Sequence, residues 1–492
     1  MSRPSFLTVL CAAVALLAIK PLYGSSEALN SKPNFLFIMV DDLGWSDLGC
    51  YHADLHETPN IDDFATSSMR FTNAYAAAPV CTPTRASLYS GKSPAKLDMT
   101  IWREAARNTL FDQKMIPPDV QENLPLAEVT ITETLKKAGY LTAHLGKWHV
   151  GDGEHFPELQ GFDIDVGATV WGCPPTFFYP YIGEIYGSQR FTPGLEKDAS
   201  GQYNLDRDGE YLTDRLTDEA IAIMERFKDE SFFVNLCYYT VHTPIEAKAD
   251  VIKYFQERLK PGMSHQNAIY AAMVHILDEN IGKLLKKLDE LNLTENTVVV
   301  FTSDNGGFIN EWDGHKVTNN SPLRSGKGAL YEGGIRVPTM IRWPGVTTPG
   351  ATCDYPVTTQ DFYPTLLEIT NLKGDPKQVQ EFEGISLVPV LKNSQAKVEQ
   401  RAMYWHYPHY YSTTTPVSAI RLGDWKLLEF LEDNHLELYN LNEDLCEQNN
   451  LAKTNPHKTA ELLLLLTRWR KNVNAAMPRP NPEYHCNKKR KE

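Results

Sequence analysis

The chain is expected to adopt an α/β fold: a large mixed, mostly parallel sheet sandwiched by helices, followed by a smaller α+β domain with an antiparallel sheet. Three observations predict it. First, five apolar runs bounded by turn signals recur along the chain: "NFLFIMVDD" (34–42), "LTAHLGKWH" (141–149), "SFFVNLCYYTVHTP" (231–244), "TVVVFTSDNG" (297–306) and "VPTMIRWPG" (337–345). They are continuous rather than alternating, as strands buried on both faces must be. Second, helical patterns separate them. "TITETLKKAG" runs from 130 to 139, and Ile269, Met273, Ile276, Leu277, Leu284, Leu288 and Leu291 give a long helix one apolar face. Alternating strands and helices build a parallel sheet with helices on both sides. Third, the pattern changes after about residue 371. "RAMYWHYPHY" (401–410), "SAIRLGDWKLLEF" (418–430) and "LELYNLNEDL" (436–445) read as short strands joined by turns, closed by the helix "TAELLLLLTRWRKNV" (459–473). The expected division is 26–370 for the first domain and 371–492 for the second.

Bulk properties narrow the function. The 492 residues are 42% hydrophobic and 22% charged, ordinary values for a globular enzyme with a large core. The net charge of −14 argues against a general nucleic-acid binder. It leaves room for an anionic substrate in a locally cationic pocket. Arg3 precedes the 14-residue apolar run from Phe6 to Ile19, and Lys20, Gly24, Ser25 and Ser26 follow it. The run is short for a bilayer and fits a secretory signal over residues 1–25. The expectation is an exported protein, periplasmic or extracellular, without a stable membrane anchor. Seven cysteines lie beyond that segment, with no close pair at metal-ligand spacing. If Cys81 is set apart, Cys50, Cys173, Cys237, Cys353, Cys446 and Cys486 remain for bridges, although Cys237 in its apolar strand also reads as a core thiol.

The polar residues that end the strands carry the chemistry. Asp41 and Asp42 end the first run, Lys147 and His149 the second, His242 the third, and Asp304 and Asn305 the fourth. In such sheets ligands bind beyond the carboxyl ends of the strands. Asp41, Asp42, Asp304 and Asn305 offer only hard oxygen donors, which suit Ca²⁺ or Mg²⁺. Arg85, Lys147 and Lys327, joined by His149 and His242, add positive charge from distant segments. A metal and several cations around one point hold a compact oxyanion such as sulfate or phosphate. Cys81 is the odd member, because soft sulfur is a poor ligand for a hard ion.

"CTPTR" followed by "ASLYSGK" resembles the Cys-x-Pro-x-Arg core of the type I sulfatases, whose fold is alkaline phosphatase-like. "NFLFIMVDDLGWSDLGCYH", "TPNIDDFA", "GKWHVG", "HTP", "FTSDNGG", "LRSGKGALYEGGIRVP" and "ELYNLNEDLCEQNNLA" are similar to that family in the same order, over about residues 32 to 452. The resemblance implies that a maturation enzyme, formylglycine-generating or anaerobic, oxidises Cys81 to formylglycine. It implies one Ca²⁺ held by Asp41, Asp42, residue 81, Asp304 and Asn305. It further implies that the hydrated aldehyde attacks the sulfur of a sulfate monoester. Arg85 and Lys147 then hold the nucleophile, His149 takes its second proton, and His242 with Lys327 serves the leaving oxygen. The expected substrate is a sulfated carbohydrate, with galactose or N-acetylgalactosamine 4-sulfate of an algal or matrix polysaccharide as the specific expectation. Trp102, Arg103, His406 and His409 are candidates for holding the sugar. Two alternatives stay open: phosphonate or phosphate monoester hydrolysis on the same fold, and a catalytically dead glycan-binding protein.

Overall fold

A computed structural model describes residues 32–107, 113–185, 189–191, 207 and 209–484. The expected secretory signal and Cys486 lie outside the described residues. Among the described residues no helix is long and apolar enough to cross a membrane.

The large sheet takes eight strands: β1 (Asn34–Val40), β2 (Met69–Phe71), β3 (Leu141–Gly146), β4 (Ile164–Val166), β5 (Phe232–Cys237), β6 (Thr297–Ser303), β7 (Thr339–Arg342) and β8 (Thr352–Cys353). Their order across the sheet is β8-β2-β7-β6-β1-β5-β3-β4. The block from β6 to β4 is parallel throughout. β7 runs against both neighbours, which makes the sheet mixed as expected. Each of the four central strands is shorter than its apolar run; β1, β3 and β6 stop just before Asp41, Lys147 and Asp304, and β5 ends at Cys237, five residues before His242. Asp42 and His149 then take the left-handed conformation, with φ of 59° and 58°. A non-glycine residue accepts that strain where the fold needs its side chain aimed.

Burial on both faces explains the continuous runs. Leu36, Ile38 and Val40 pack with Leu216 and Ile276 on one side. Phe35, Phe37 and Met39 pack with Leu88, Leu135 and Phe362 on the other. The covering helices begin and end where local chemistry dictates. α1 (Cys81–Ser90) carries Pro83 in its first turn, where the missing N–H is not needed, and stops at Gly91 with φ of 70°. α2 (Ile131–Lys137) starts with a capping box between Thr130 and Glu133. α3 (Leu212–Arg226) and α4 (Ala268–Glu290) cover the first face, and the Asn267 side chain accepts from the first N–H groups of α4. α5 (Phe362–Thr370) covers the second face. Beyond residue 371 the chain stays on this core for a time, burying Leu387, Val390 and Leu391 beside Phe37.

The second sheet is the antiparallel meander β9 (Ala402–Tyr407), β10 (Val417–Leu422), β11 (Trp425–Phe430) and β12 (Leu436–Asn440). One face, with Trp405, Ala419 and Leu428, packs on Tyr75, Val80, Leu330 and Ile335. The other, with Ile420, Leu427 and Leu438, is covered by Leu462, Leu466 and Trp469 of α6 (Pro456–Asn472). The expected bridges are not made among the described cysteines: Cys50, Cys81, Cys173, Cys237, Cys353 and Cys446 are all free. The large sheet itself separates Cys237 and Cys353 from Cys173, since they sit in the cores of opposite faces.

A buried charge cluster joins the two layers. Lys426 of β11 donates to Glu332 Oε1 at 2.7 Å and lies 2.8 Å from Glu447 Oε1, with all three side chains buried. Arg336 and Tyr75 donate to Glu332 Oε2 at 2.9 and 2.7 Å. Lys426→Met removes the cation shared by two buried carboxylates. We expect a loss of about 3–5 kcal/mol of unfolding free energy, read from the shift of the denaturant midpoint. An unshifted midpoint contradicts this role.

Candidate active site

The strands β6, β1, β5 and β3 are neighbours, so their carboxyl ends meet at one edge. Asp304 and Asn305 leave β6, Asp41 and Asp42 leave β1, His242 follows β5, and Lys147 and His149 leave β3. Helix α1 runs into the same place and brings Cys81 and Arg85 on its first turns. Lys327 arrives on a loop held by the Gly328 N–H to the Pro79 carbonyl, at 2.8 Å. The carboxylates and cations of this group are buried.

Buried charges persist only when paired. Arg85 donates through Nε to Asp304 Oδ2 at 2.9 Å and through Nη1 to the Lys147 carbonyl at 2.8 Å. Lys147 Nζ donates to Asp41 Oδ2 at 2.7 Å, and Lys327 Nζ to Asp42 Oδ2 at 2.8 Å. Asn305 Nδ2 donates to Asp42 Oδ1 at 2.7 Å. Burial opposes the Asp42 carboxylate, but Lys327 and His242 outweigh it and hold its pKa well below the usual range. Burial likewise opposes the Lys147 ammonium, and Asp41 keeps it charged. Two oxygens remain without a hydrogen bond among the described residues: Asp41 Oδ1 and Asn305 Oδ1. Buried acceptors left in that state are expensive unless something positive meets them. With Asp42 and Asp304 they form an all-oxygen donor set that fits a hard divalent cation.

Beside this set stands a thiol–imidazole pair. Cys81 Sγ lies 3.2 Å from His149 Nδ1. Burial pushes the thiol up, but Lys147 and His149 more than offset it and bring the Cys81 pKa to about 6. His149 Nε2 lies 2.7 Å from Glu104 Oε2, and Glu104 Oε1 accepts from the Gly172 N–H at 2.9 Å. Burial opposes the imidazolium, yet the Glu104 carboxylate raises the His149 pKa. Gly172 must lack a side chain, since a Cβ there lands 2.4 Å from His149 Cε1. The sequence reasoning missed Glu104. It sits in an irregular stretch beside Trp102 and Arg103, and no spacing links it to a histidine 45 residues later. His242 points Nε2 toward Asp42 Oδ2 at 3.6 Å, with Nδ1 3.0 Å from the Thr243 carbonyl. Burial, then Lys327, pushes its pKa down to about 3.

The four sugar-binding candidates separate. Trp102 meets Tyr411 edge-on, with centroids 5.4 Å apart, and Thr413 Oγ1 donates to the Lys327 carbonyl at 2.7 Å. Trp102 and His409 both line a cavity of about 370 Å³, together with Ile116, Pro118 and Tyr410. His409 is buried and its Nε2 is engaged by Thr100 Oγ1 at 2.7 Å, and Arg103 and His406 do not present free groups either. Arg103 is buried, and its guanidinium is ion-paired with Asp152 and donates to Asn123 Oδ1 at 3.3 Å. His406 spends both ring nitrogens locally, on Ser418 Oγ at 2.7 Å and the Ala476 carbonyl at 2.9 Å. A polar residue type is visible in sequence, but a partner that already satisfies it is not.

Residues 33–372 match the family model described as Sulfatase, and residues 326–471 match that described as N-sulphoglucosamine sulphohydrolase, C-terminal. The chain is 35% identical to a sulfatase of Formosa agariphila, over 91% of this chain and 90% of that one. It is 30% identical to the human N-acetylgalactosamine-6-sulfatase, over 86% and 77% of the two chains. It is also 30% identical to human arylsulfatase A, over 81% and 75%. Among solved structures it is similar to Ps i-CgsB in complex with k-i-k-neocarrahexaose, with a TM-score of 0.73 and 28% identity over 89% and 93% of the chains. The chain belongs to the sulfatase family, the type I sulfatases of the alkaline phosphatase superfamily, enzymes that hydrolyse sulfate esters.

Proposed function

We propose that the chain removes a sulfate monoester from a sulfated carbohydrate, using Ca²⁺ and a formylglycine at position 81. The observation that carries this reading is the meeting of Cys81, His149 and the two unpartnered oxygens of Asp41 and Asn305 at one buried edge. The sugar assignment draws on the N-acetylgalactosamine named for the human relative and on the neocarrahexaose bound to Ps i-CgsB. Galactose or N-acetylgalactosamine carrying a 4-sulfate is the first substrate to test, with the 6-sulfate beside it. We also propose export and maturation by a formylglycine-forming enzyme, with no stable membrane anchor.

Asp41, Asp42, Asp304, Asn305 and the oxidised residue 81 would hold the ion. When bound, it supplies positive charge that binds and polarises sulfate oxygens. Oxidation of residue 81 replaces a soft sulfur with an oxygen nucleophile suited to that neighbour. The remaining work falls to the side chains. Lys147 and Arg85 neutralise charge around residue 81 and hold it in line. His149 Nδ1 accepts the proton of the nucleophile, and Glu104 fixes the ring and stabilises the imidazolium. Lys327 carries the positive charge beside Asp42, where the leaving oxygen departs. His242, neutral at its low pKa and with Nδ1 donating to the Thr243 carbonyl, lies beside that oxygen and shapes its surroundings.

The mass of the peptide containing residue 81, after co-expression with a maturation enzyme, tests the reading directly. We expect the aldehyde or its hydrate, and Cys81→Ala to cost at least about 10³-fold in kcat/KM on a sulfated sugar. An intact thiol in an active preparation would falsify it. Equal or greater turnover of the matching phosphate ester points instead to a phosphatase. Glu104→Gln keeps the shape but removes the charge behind His149. It should lower kcat by about 10- to 100-fold with KM little changed. Dialysis against a chelator should abolish turnover, and Ca²⁺ should restore it where Zn²⁺ does not, because Asp41, Asp42, Asp304 and Asn305 offer the ion only oxygen donors. Full activity in excess chelator rules out the ion.

A further inference from the structure

A second cluster of donors lies away from the catalytic edge. Asp47, His56 and His265 are all buried, and one donor atom from each falls within 4.8 Å of the others. We propose that this cluster is a structural site for a transition-metal dication of the Zn²⁺ type, bound through Asp47 Oδ1, His56 Nδ1 and His265 Nε2. The spacing fits. His265 Nε2 is 3.4 Å and His56 Nδ1 3.7 Å from Asp47 Oδ1. Donors about 2.0–2.1 Å from one tetrahedral ion stand roughly 3.4 Å apart. In the ion-free arrangement His56 Nδ1 donates to the Asp47 carbonyl oxygen at 2.8 Å, a hydrogen bond that a bound ion replaces.

The surroundings are those of a built site. His265 Nδ1 is 2.8 Å from Asp54 Oδ1, the carboxylate–imidazole arrangement that orients metal-binding histidines. It leaves Nε2 buried and without a hydrogen bond among the described residues. Asp47 is held by the Thr318 hydroxyl at 2.6 Å, the Tyr270 hydroxyl at 2.7 Å and the Gly44 N–H at 2.7 Å. The two imidazole centroids are 4.3 Å apart, so both rings cannot be protonated cheaply. A single dication satisfies both rings and the carboxylate at once. Nitrogen donors select zinc-like ions over the hard cation of the catalytic edge. With the ion bound, His56 Nδ1 presents its lone pair, and the turn after Asp42 is tied to the start of α4.

The test uses the full chain carrying Cys81→Ala, which removes the Cys81 thiol as a competing ligand. The chain is demetallated, then titrated with Co²⁺ and with Zn²⁺ alone. We expect one equivalent of Co²⁺ with tetrahedral d–d absorption and no thiolate charge-transfer band. His56→Gln and His265→Gln should each lose that spectrum, and Zn²⁺ should raise the melting temperature only where both histidines remain. A zinc-edge anomalous map of the unsubstituted His56/His265 protein should show a peak between the two rings, which keeps the test valid if a variant fails to fold. An absent peak, or a Co²⁺ spectrum untouched by both histidine substitutions, overturns the site. Neither outcome depends on turnover, so it stands or falls apart from the sulfatase activity.

Discussion

Everything at the catalytic edge leans on Arg85. Its guanidinium is fully buried and ties together the end of β6 through Asp304, the end of β3 through the Lys147 carbonyl, and helix α1 from which it comes. Three cations and three carboxylates then share one dry volume: Arg85, Lys147 and Lys327 against Asp41, Asp42 and Asp304. Such an arrangement is costly to assemble and is weak evidence for stability. Its value is preorganisation. Charges fixed before substrate arrives need not reorganise as the sulfate ester breaks.

Much of this was legible in the sequence for a physical reason. Strands buried on both faces write themselves as unbroken apolar runs, and the first ionisable residues after each run mark the edge where ligands bind. Asp41, Lys147, His242 and Asp304 were all readable that way. The antiparallel meander and its closing helix were readable because no long crossover separates the strands. What physics alone did not supply was a fate for Cys81. It marked the thiol as a mismatch, and only the family resemblance implied what would replace it.

The parts that were not legible share a cause: they depend on partners, not on residue types. Arg103 and His406 have the chemistry to hold a sugar, but Asp152, Ser418 and the Ala476 carbonyl already engage them. Glu104 has no distinguishing neighbours in sequence and gains its role only by meeting His149. The cysteines could be counted but not placed on opposite faces of a sheet. Local pattern reports which face of an element is buried, while long-range pairing is decided by packing between elements.

The burial of α1 sets an order of events. All ten residues of Cys81–Ser90 are buried, and Cys81 itself is only 3% exposed. A reagent that must reach the Cys81 sulfur cannot do so in the closed fold without moving the helix and the Arg85 contacts. Under the proposed oxidation of Cys81, the modification would therefore precede closure of the sheet, and chains that fold first would keep a thiol.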